Sequence, residues 1–193
     1  MTGAASRIQV FQKEWAFTTA ASAIPVLQTG IVGPCFVVGF FGDKGVAMAH
    51  LDCTTQVDSL SSVIEKVRKV VSETDFLRAE IIGGWQEALL SKELGDGILK
   101  RLQEAGIRCI DTSKMYVKSS LSAAEFSEGI SEKDRTLHYF HGVLADARCE
   151  MLCVVDSVDM CFKQEQLRRT IAFLVTAEEY LPLQEVLTSQ STS

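Results

Sequence analysis

The stretch "GPCFVVGFFGDKGVAMAHLDC", residues 33–53, holds two apolar runs on either side of a turn. "CFVVGFF" (35–41) is apolar throughout and suits a buried strand. "GDKG" (42–45) has hairpin-turn chemistry, with glycines that tolerate positive φ. "VAMAHLD" (46–52) reads as the returning strand. With the turn at Asp43 and Lys44, Cys35 and His50 fall roughly opposite each other across the ladder, allowing one bulge. On a shared face their Cβ atoms would lie within about 5–7 Å. A cysteine acts as a nucleophile in its thiolate form, and a nearby imidazole can take the proton. The same two residues also suit a buried structural thiol and a histidine that bonds a strand end.

Outward from the hairpin, the patterns alternate irregularly. "RIQVFQ" and "WAFTTA" near the start read as short strands, and "AIPVLQTGIVGP" is extended up to Thr29. After the hairpin, Val57, Leu60, Ile64, Val67 and Val71 step at helical spacing, with Thr55 and Asp58 as a capping box with a shorter acid. "LRAEIIGG" (77–84) is a strand ending in two glycines. "WQEALLSKELGDGILKRLQEAG" is helical but carries Gly95 and Gly97, so it is either two helices, the second capped by Asp96, or one broken helix. "IRCIDTS" and "KMYVKSSLS" read as strands, and 123–135 as a polar surface loop. "TLHYFHGVLA" and "RCEMLCVVD" flank "DA" as a second hairpin. A helix with one apolar face follows over 164–179, and 188–193 reads as a disordered tail. The order predicts an α+β fold: one domain over 1–193, a two-layer mixed β-sandwich or sheet core flanked by helices.

Composition narrows the function classes. The formal net charge is −6, which argues against nucleic-acid binding and against anionic lipid. No segment approaches the roughly 20 apolar residues of a membrane helix, and the N-terminus shows no signal-peptide h-region. The 6 cysteines therefore predict a reducing, cytoplasmic setting and small core residues, not disulfides. Cys149, Cys153 and Cys161 lack a histidine at zinc spacing, and His138 and His141 would face opposite sides of a strand, so no metal site is expected. Asp52, Asp58 and Glu65 read as solvated or capping acids. Gly83 and Gly84 follow a strand but lack the other residues of a phosphate loop.

"TGIVGPC" (29–35), "GVAMAH" (45–50) and "AEIIGGW" (79–85) together resemble the chemoreceptor glutamine deamidases (CheD). Those proteins have a threonine six residues before a cysteine, an apolar run ending in Ala-His, and an apolar strand ending in Gly-Gly. The cytotoxic necrotizing factor toxins share the cysteine–histidine hairpin. "HLDCTT" (50–55), "YFHGVLADARCEMLCVVD" and "KQEQLRRTIAF" are similar in order and spacing to protein N-terminal asparagine amidohydrolases. Pro34 departs from the serine usual in the chemoreceptor enzymes, and it has no N–H to offer an oxyanion.

The resemblance implies a CheD-like fold and a protein deamidase acting on a Gln or Asn side chain without a cofactor. Cys35 would be the nucleophile, His50 the base and Thr29 the group that orients the imidazole. The oxyanion would meet the Cys35 N–H and one from Gly83, Gly84 or Trp85. Trp85 would line the mouth of the site or serve as an ordinary core aromatic. The substrate would be a protein, either in the same cell or in another cell to which the enzyme is delivered. Two other readings share these residues: a different Cys–His enzyme of peptidase or transglutaminase type, and an inactive module of the same fold. An activated Cys35 would be selectively alkylated near neutral pH.

Overall fold

The computed structural model describes residues 7–86, 88–116, 140–155 and 182–186. Its elements in order are β1 (Ile8–Gln9), β2 (Glu14–Thr19), β3 (Val26–Val32), β4 (Phe36–Phe41) and β5 (Gly45–Leu51). A 3-10 turn over Thr54–Gln56 leads into α1 (Val57–Val71). Then come β6 (Arg78–Gly83), α2 (Leu89–Glu104), β7 (Cys109–Met115), β8 (Phe140–Asp146), β9 (Met151–Val155) and β10 (Gln184–Glu185). The surface loop expected at 123–135, the late helix at 164–179, His138 and the tail lie outside the described residues.

Two mixed sheets stack. The smaller has the order β1-β3-β8-β9 and the larger β10-β2-β5-β4-β6-β7. The quoted hairpin forms the centre of the larger sheet, with β4 between β5 and β6. That position explains why its strands are apolar on both faces. Phe36, Val38, Phe40, Ala49 and Leu51 face α1 and α2, where they meet Leu60, Ile64, Val67, Ile98 and Leu102. Val37, Phe41, Val46 and Met48 face the smaller sheet, where they meet Leu27, Val143, Ala145 and Leu152. The result is the expected α+β architecture, with the two sheets on one side and the helices on the other.

Local details depart from the sequence reading for packing reasons. The hairpin turn is at Asp43 and Lys44, with the Gly42 N–H donating to Gly45 O at 3.1 Å. Neither glycine has positive φ. They are small because the backbone is crowded: a Cβ on Gly42 would sit 2.2 Å from Val71 O, and one on Gly45 would sit 2.2 Å from Thr18 O. α2 runs unbroken through Gly95 and Gly97. A Cβ at Gly95 would meet the Phe36 ring at 2.8 Å, so the glycine seats the helix on the sheet. The capping box at Thr55 does not form; Gln56 is the N-cap without a side-chain bond, and Asp58 pairs with Arg101 at 2.8 Å. β7 (Cys109–Met115) runs without a break from the first strand expected there into Lys114 and Met115 of the second, whose residues 117–122 lie outside the described residues. The second hairpin pairs Asp146 with Met151, which moves its turn to 147–150.

Glu80 ties the sheets together. It stands on β6 and reaches across the seam, where its Oε2 accepts the Leu152 N–H of edge strand β9 at 2.7 Å. Arg78 donates to its Oε1 at 2.9 Å, and Lys114, 3.7 Å from Oε2, donates to Leu152 O at 3.0 Å. Glu80→Ala would leave a buried N–H without its acceptor and is expected to cost about 2–3 kcal/mol. Glu80→Gln, which still accepts, should cost less; urea midpoints of the two variants measure the difference, and equal values would deny the clamp.

Candidate active site

The register of the hairpin decides which side chains meet. Val37 pairs with His50 and Phe36 with Leu51, so the ladder, continued by one residue, sets Cys35 opposite Asp52. Cys35 and His50 are thus diagonal neighbours, two residues off the direct pairing expected from the sequence. The two-residue period keeps Cys35, Val37, His50 and Asp52 in line on the face toward the smaller sheet.

His50 is 1% exposed and Thr29, on β3 of the other sheet, is 0% exposed. Thr29 Oγ1 lies 2.7 Å from His50 Nδ1. A hydroxyl can donate to or accept from Nδ1; in the tautomer in which Nδ1–H donates to it, Nε2 is the lone-pair nitrogen. Nε2 is buried and meets no hydrogen-bond partner among the described residues. Burial pushes the His50 pKa down to about 4, so the ring is neutral at pH 7.

Cys35 is 8% exposed. Burial, and then the charge of Asp52, push its thiol up to about 12; a bond from Gln12 and the charge of Lys13 act the other way. At rest the site therefore holds a thiol and a neutral imidazole, not a thiolate–imidazolium pair. Gln12 Nε2 is 3.8 Å from Cys35 Sγ. Asp52, read from the sequence as a solvated or capping acid, is instead buried here. Its Oδ1 accepts from Gln56 Nε2 at 2.5 Å, and its Oδ2 lies 4.0 Å from the buried Lys13 Nζ. Burial raises its pKa, opposed by Lys13 and Gln56. Cys53 sits apart, with its Sγ 3.3 Å from Thr55 Oγ1.

The Gly-Gly-Trp segment clasps the chain around the cysteine. Gly83 and Gly84 have φ of +109° and +85°, which side chains rarely adopt. A Cβ at Gly83 would lie 2.3 Å from Cys35 O. The Gly84 N–H donates to Gly33 O and Cys35 O, each at 3.0 Å. The Trp85 N–H donates to Ser91 Oγ at 2.8 Å, and that hydroxyl donates to Pro34 O at 2.7 Å. Gly84 and Trp85, considered from the sequence as oxyanion donors, thus direct their N–H groups into this clasp.

Sequence reasoning missed Gln12 and Lys13, which no motif marks. It also missed the place of Asp52, although its position two residues past His50 on a strand signals the same face. Among the described residues no group of His, Cys, Asp and Glu could hold a metal ion, and no helix is long and apolar enough to cross a membrane.

This seam of buried thiol, imidazole and amide groups lies within residues 2–129, which match the family model of protein N-terminal asparagine amidohydrolase. That match defines the class: a protein amidohydrolase, or deamidase. The span is well over half of the chain, and the chain belongs to the protein N-terminal asparagine amidohydrolase family. No curated protein matches the chain.

The burial of Cys35 reverses the labelling expected from sequence. Among the five described cysteines, Cys109 and Cys149 are exposed and Cys35 is buried. With iodoacetamide at pH 7, followed by peptide mass spectrometry, Cys109 and Cys149 should react first and Cys35 last. Rapid modification of Cys35 would mean that a thiolate is present at rest.

Proposed function

We propose that this protein is a cysteine-dependent deamidase that converts an N-terminal asparagine of a protein substrate to aspartate through a thioester on Cys35. The observation that carries this reading is His50. Its Nδ1 is fixed by Thr29, and its buried Nε2 is unpaired on the strand face shared with Cys35. The family supplies the asparagine side chain as the group acted on.

The thiol does not ionise ahead of the reaction. Its proton passes to His50 Nε2 as the sulfur attacks the carboxamide carbon, giving a tetrahedral oxyanion. Collapse breaks the C–N bond, and the imidazolium returns the proton to the departing nitrogen as ammonia. Water then attacks the thioester while Nε2 takes its proton. Collapse of the second adduct expels the sulfur, which recovers that proton, and the product is a carboxylic acid. One water is consumed and one ammonia released. Thr29 holds the ring in the tautomer that leaves Nε2 basic. Gly83, Gly84 and Trp85 act by holding residues 33–35, which sets the direction of the nucleophile. The whole chain, 1–193, works as a single domain on this reading. The free state of the five described cysteines fits a reducing compartment such as the cytoplasm.

A peptide with N-terminal asparagine should gain 1 Da and release ammonia without backbone cleavage. Cys35→Ala and His50→Ala should fall to background, a loss of about 10⁴-fold or more, while Thr29→Ala retains part of the activity because it only orients the base. His50 is neutral, and so able to accept a proton, down to about pH 4. The acid limb of kcat/KM should therefore fall through about pH 4, not through the 6.5 of an ordinary imidazole. Full activity in Cys35→Ala, or cleavage of the peptide backbone, would overturn the reading.

A further inference from the structure

We propose that the side-chain amide of Gln12 is an oxyanion donor of this site beside the Cys35 N–H, a catalytic residue placed by the turn between β1 and β2. The inference rests on the reading of Cys35 as the nucleophile. The Cys35 N–H lies beside its own sulfur, but Pro34 has no N–H and the N–H groups of Gly84 and Trp85 are already engaged, so a second donor has to come from elsewhere. The Gln12 amide is a side-chain donor within hydrogen-bond range of the sulfur, at 3.8 Å. In a tetrahedral adduct the oxygen stands within about 3 Å of the sulfur that has just bonded to the carbon. A donor now at 3.8 Å from Sγ can thus approach the about 2.7–3.1 Å from the oxygen that stabilisation needs.

The turn is built to hold this amide still. Glu14 N–H donates to Phe11 O at 3.1 Å, and Glu14 Oε2 accepts the Phe11 N–H at 3.0 Å. Lys13 N–H donates to His50 O at 2.9 Å, so the turn is pinned to the base's own residue. On the other side, Lys13 O accepts the Gln184 N–H at 2.8 Å. Lys13 has φ +68°, at the third position of the turn, where positive φ favours glycine. Such strain is held only where surrounding bonds over-determine it. Here those bonds fix the backbone next to Gln12 against the strand that carries His50. A neutral amide also suits the chemistry. It stabilises negative charge on the oxygen without adding a full charge beside Lys13 and Asp52.

The test uses the full-length chain and the N-terminal asparagine peptide, with Gln12→Ala and the isosteric Gln12→Glu. Circular dichroism confirms that each is folded. Both variants should lose about 10²–10³-fold in kcat with KM changed little. A peptide whose N-terminal side-chain carboxamide is replaced by an aldehyde forms a tetrahedral hemithioacetal with Cys35, and it should bind the variants more weakly by a similar factor. Alkylation of Cys35 by iodoacetamide passes through no oxyanion; in Gln12→Ala it loses only the Gln12 bond that lowers the thiol pKa, and it should slow by less than about tenfold. If kcat stays within about threefold in both variants while Cys35→Ala is inactive, Gln12 is not the donor and the nucleophile reading stands. If alkylation slows as much as kcat, Gln12 acts on the thiol and the inference fails. A loss confined to KM would make it a substrate contact and equally overturn it. Activity in Cys35→Ala would remove both readings.

Discussion

The hydrogen bond between Thr29 and His50 is the constraint around which the site is arranged. It spans the seam between the two sheets, 2.7 Å long and shielded from water at both ends. A bond of this kind adds only about 0.5–1.5 kcal/mol net, but loss of one partner leaves a buried polar group unpaired. The bond therefore specifies more than it stabilises. Together with the Glu80 bond to Leu152 it gives the seam a directional contact, where neighbours such as Val37 and Met48 are apolar and accept many orientations. It also fixes the ring. The turn bearing Gln12 and Lys13 is then attached to the backbone of the same histidine. The hairpin register places Cys35 on the same face of the sheet.

Burial sets the electrostatics. It moves the thiol up and the imidazole down, both away from the charged pair that an open Cys–His site would favour. Asp52 and Lys13 add a carboxylate and an ammonium of opposite effect on the thiol. Their nearness to each other makes the surroundings almost neutral overall. On the proposed mechanism, proton transfer is coupled to attack, and burial shields the sulfur from oxidants and stray electrophiles.

The sequence made the hairpin, α1, β6 and the nearness of Thr29 to His50 legible. Their signals are local: an apolar run, a helical stripe, or fixed spacings matching known families. The two-residue offset of Cys35 from His50 was already in the counts, eight residues before Asp43 and six after Lys44; the bulge allowed for to bring them opposite does not form, and β4 and β5 pair in unbroken register. The continuity of α2 through Gly95 was hidden. Glycine reads as a breaker unless the Phe36 ring beneath it is known. Gln12 carried no signal, since one polar residue in a short turn gains meaning only when the fold brings it to the sulfur. The neutral resting state was invisible too. Burial is a property of both sheets together, and the pairing of β3 with β8 joins segments more than a hundred residues apart.

A threonine at the orienting position follows from the same geometry. Stacked sheets lie about 10 Å apart, and a histidine from one side with a short side chain from the other just spans that gap. Aspartate would also reach, but it would place a full charge in a seam already holding Asp52 and lacking water to solvate it. It would also favour the imidazolium, drawing the His50 pKa upward, so that part of the base would be protonated near neutral pH. A hydroxyl orients the ring without that field. Thr29 and His50 are thus neutral for one reason: both are buried between the two sheets. On the proposed reaction, the charge that develops would be met by fixed dipoles close to the sulfur, and the Gln12 amide is a dipole in that position.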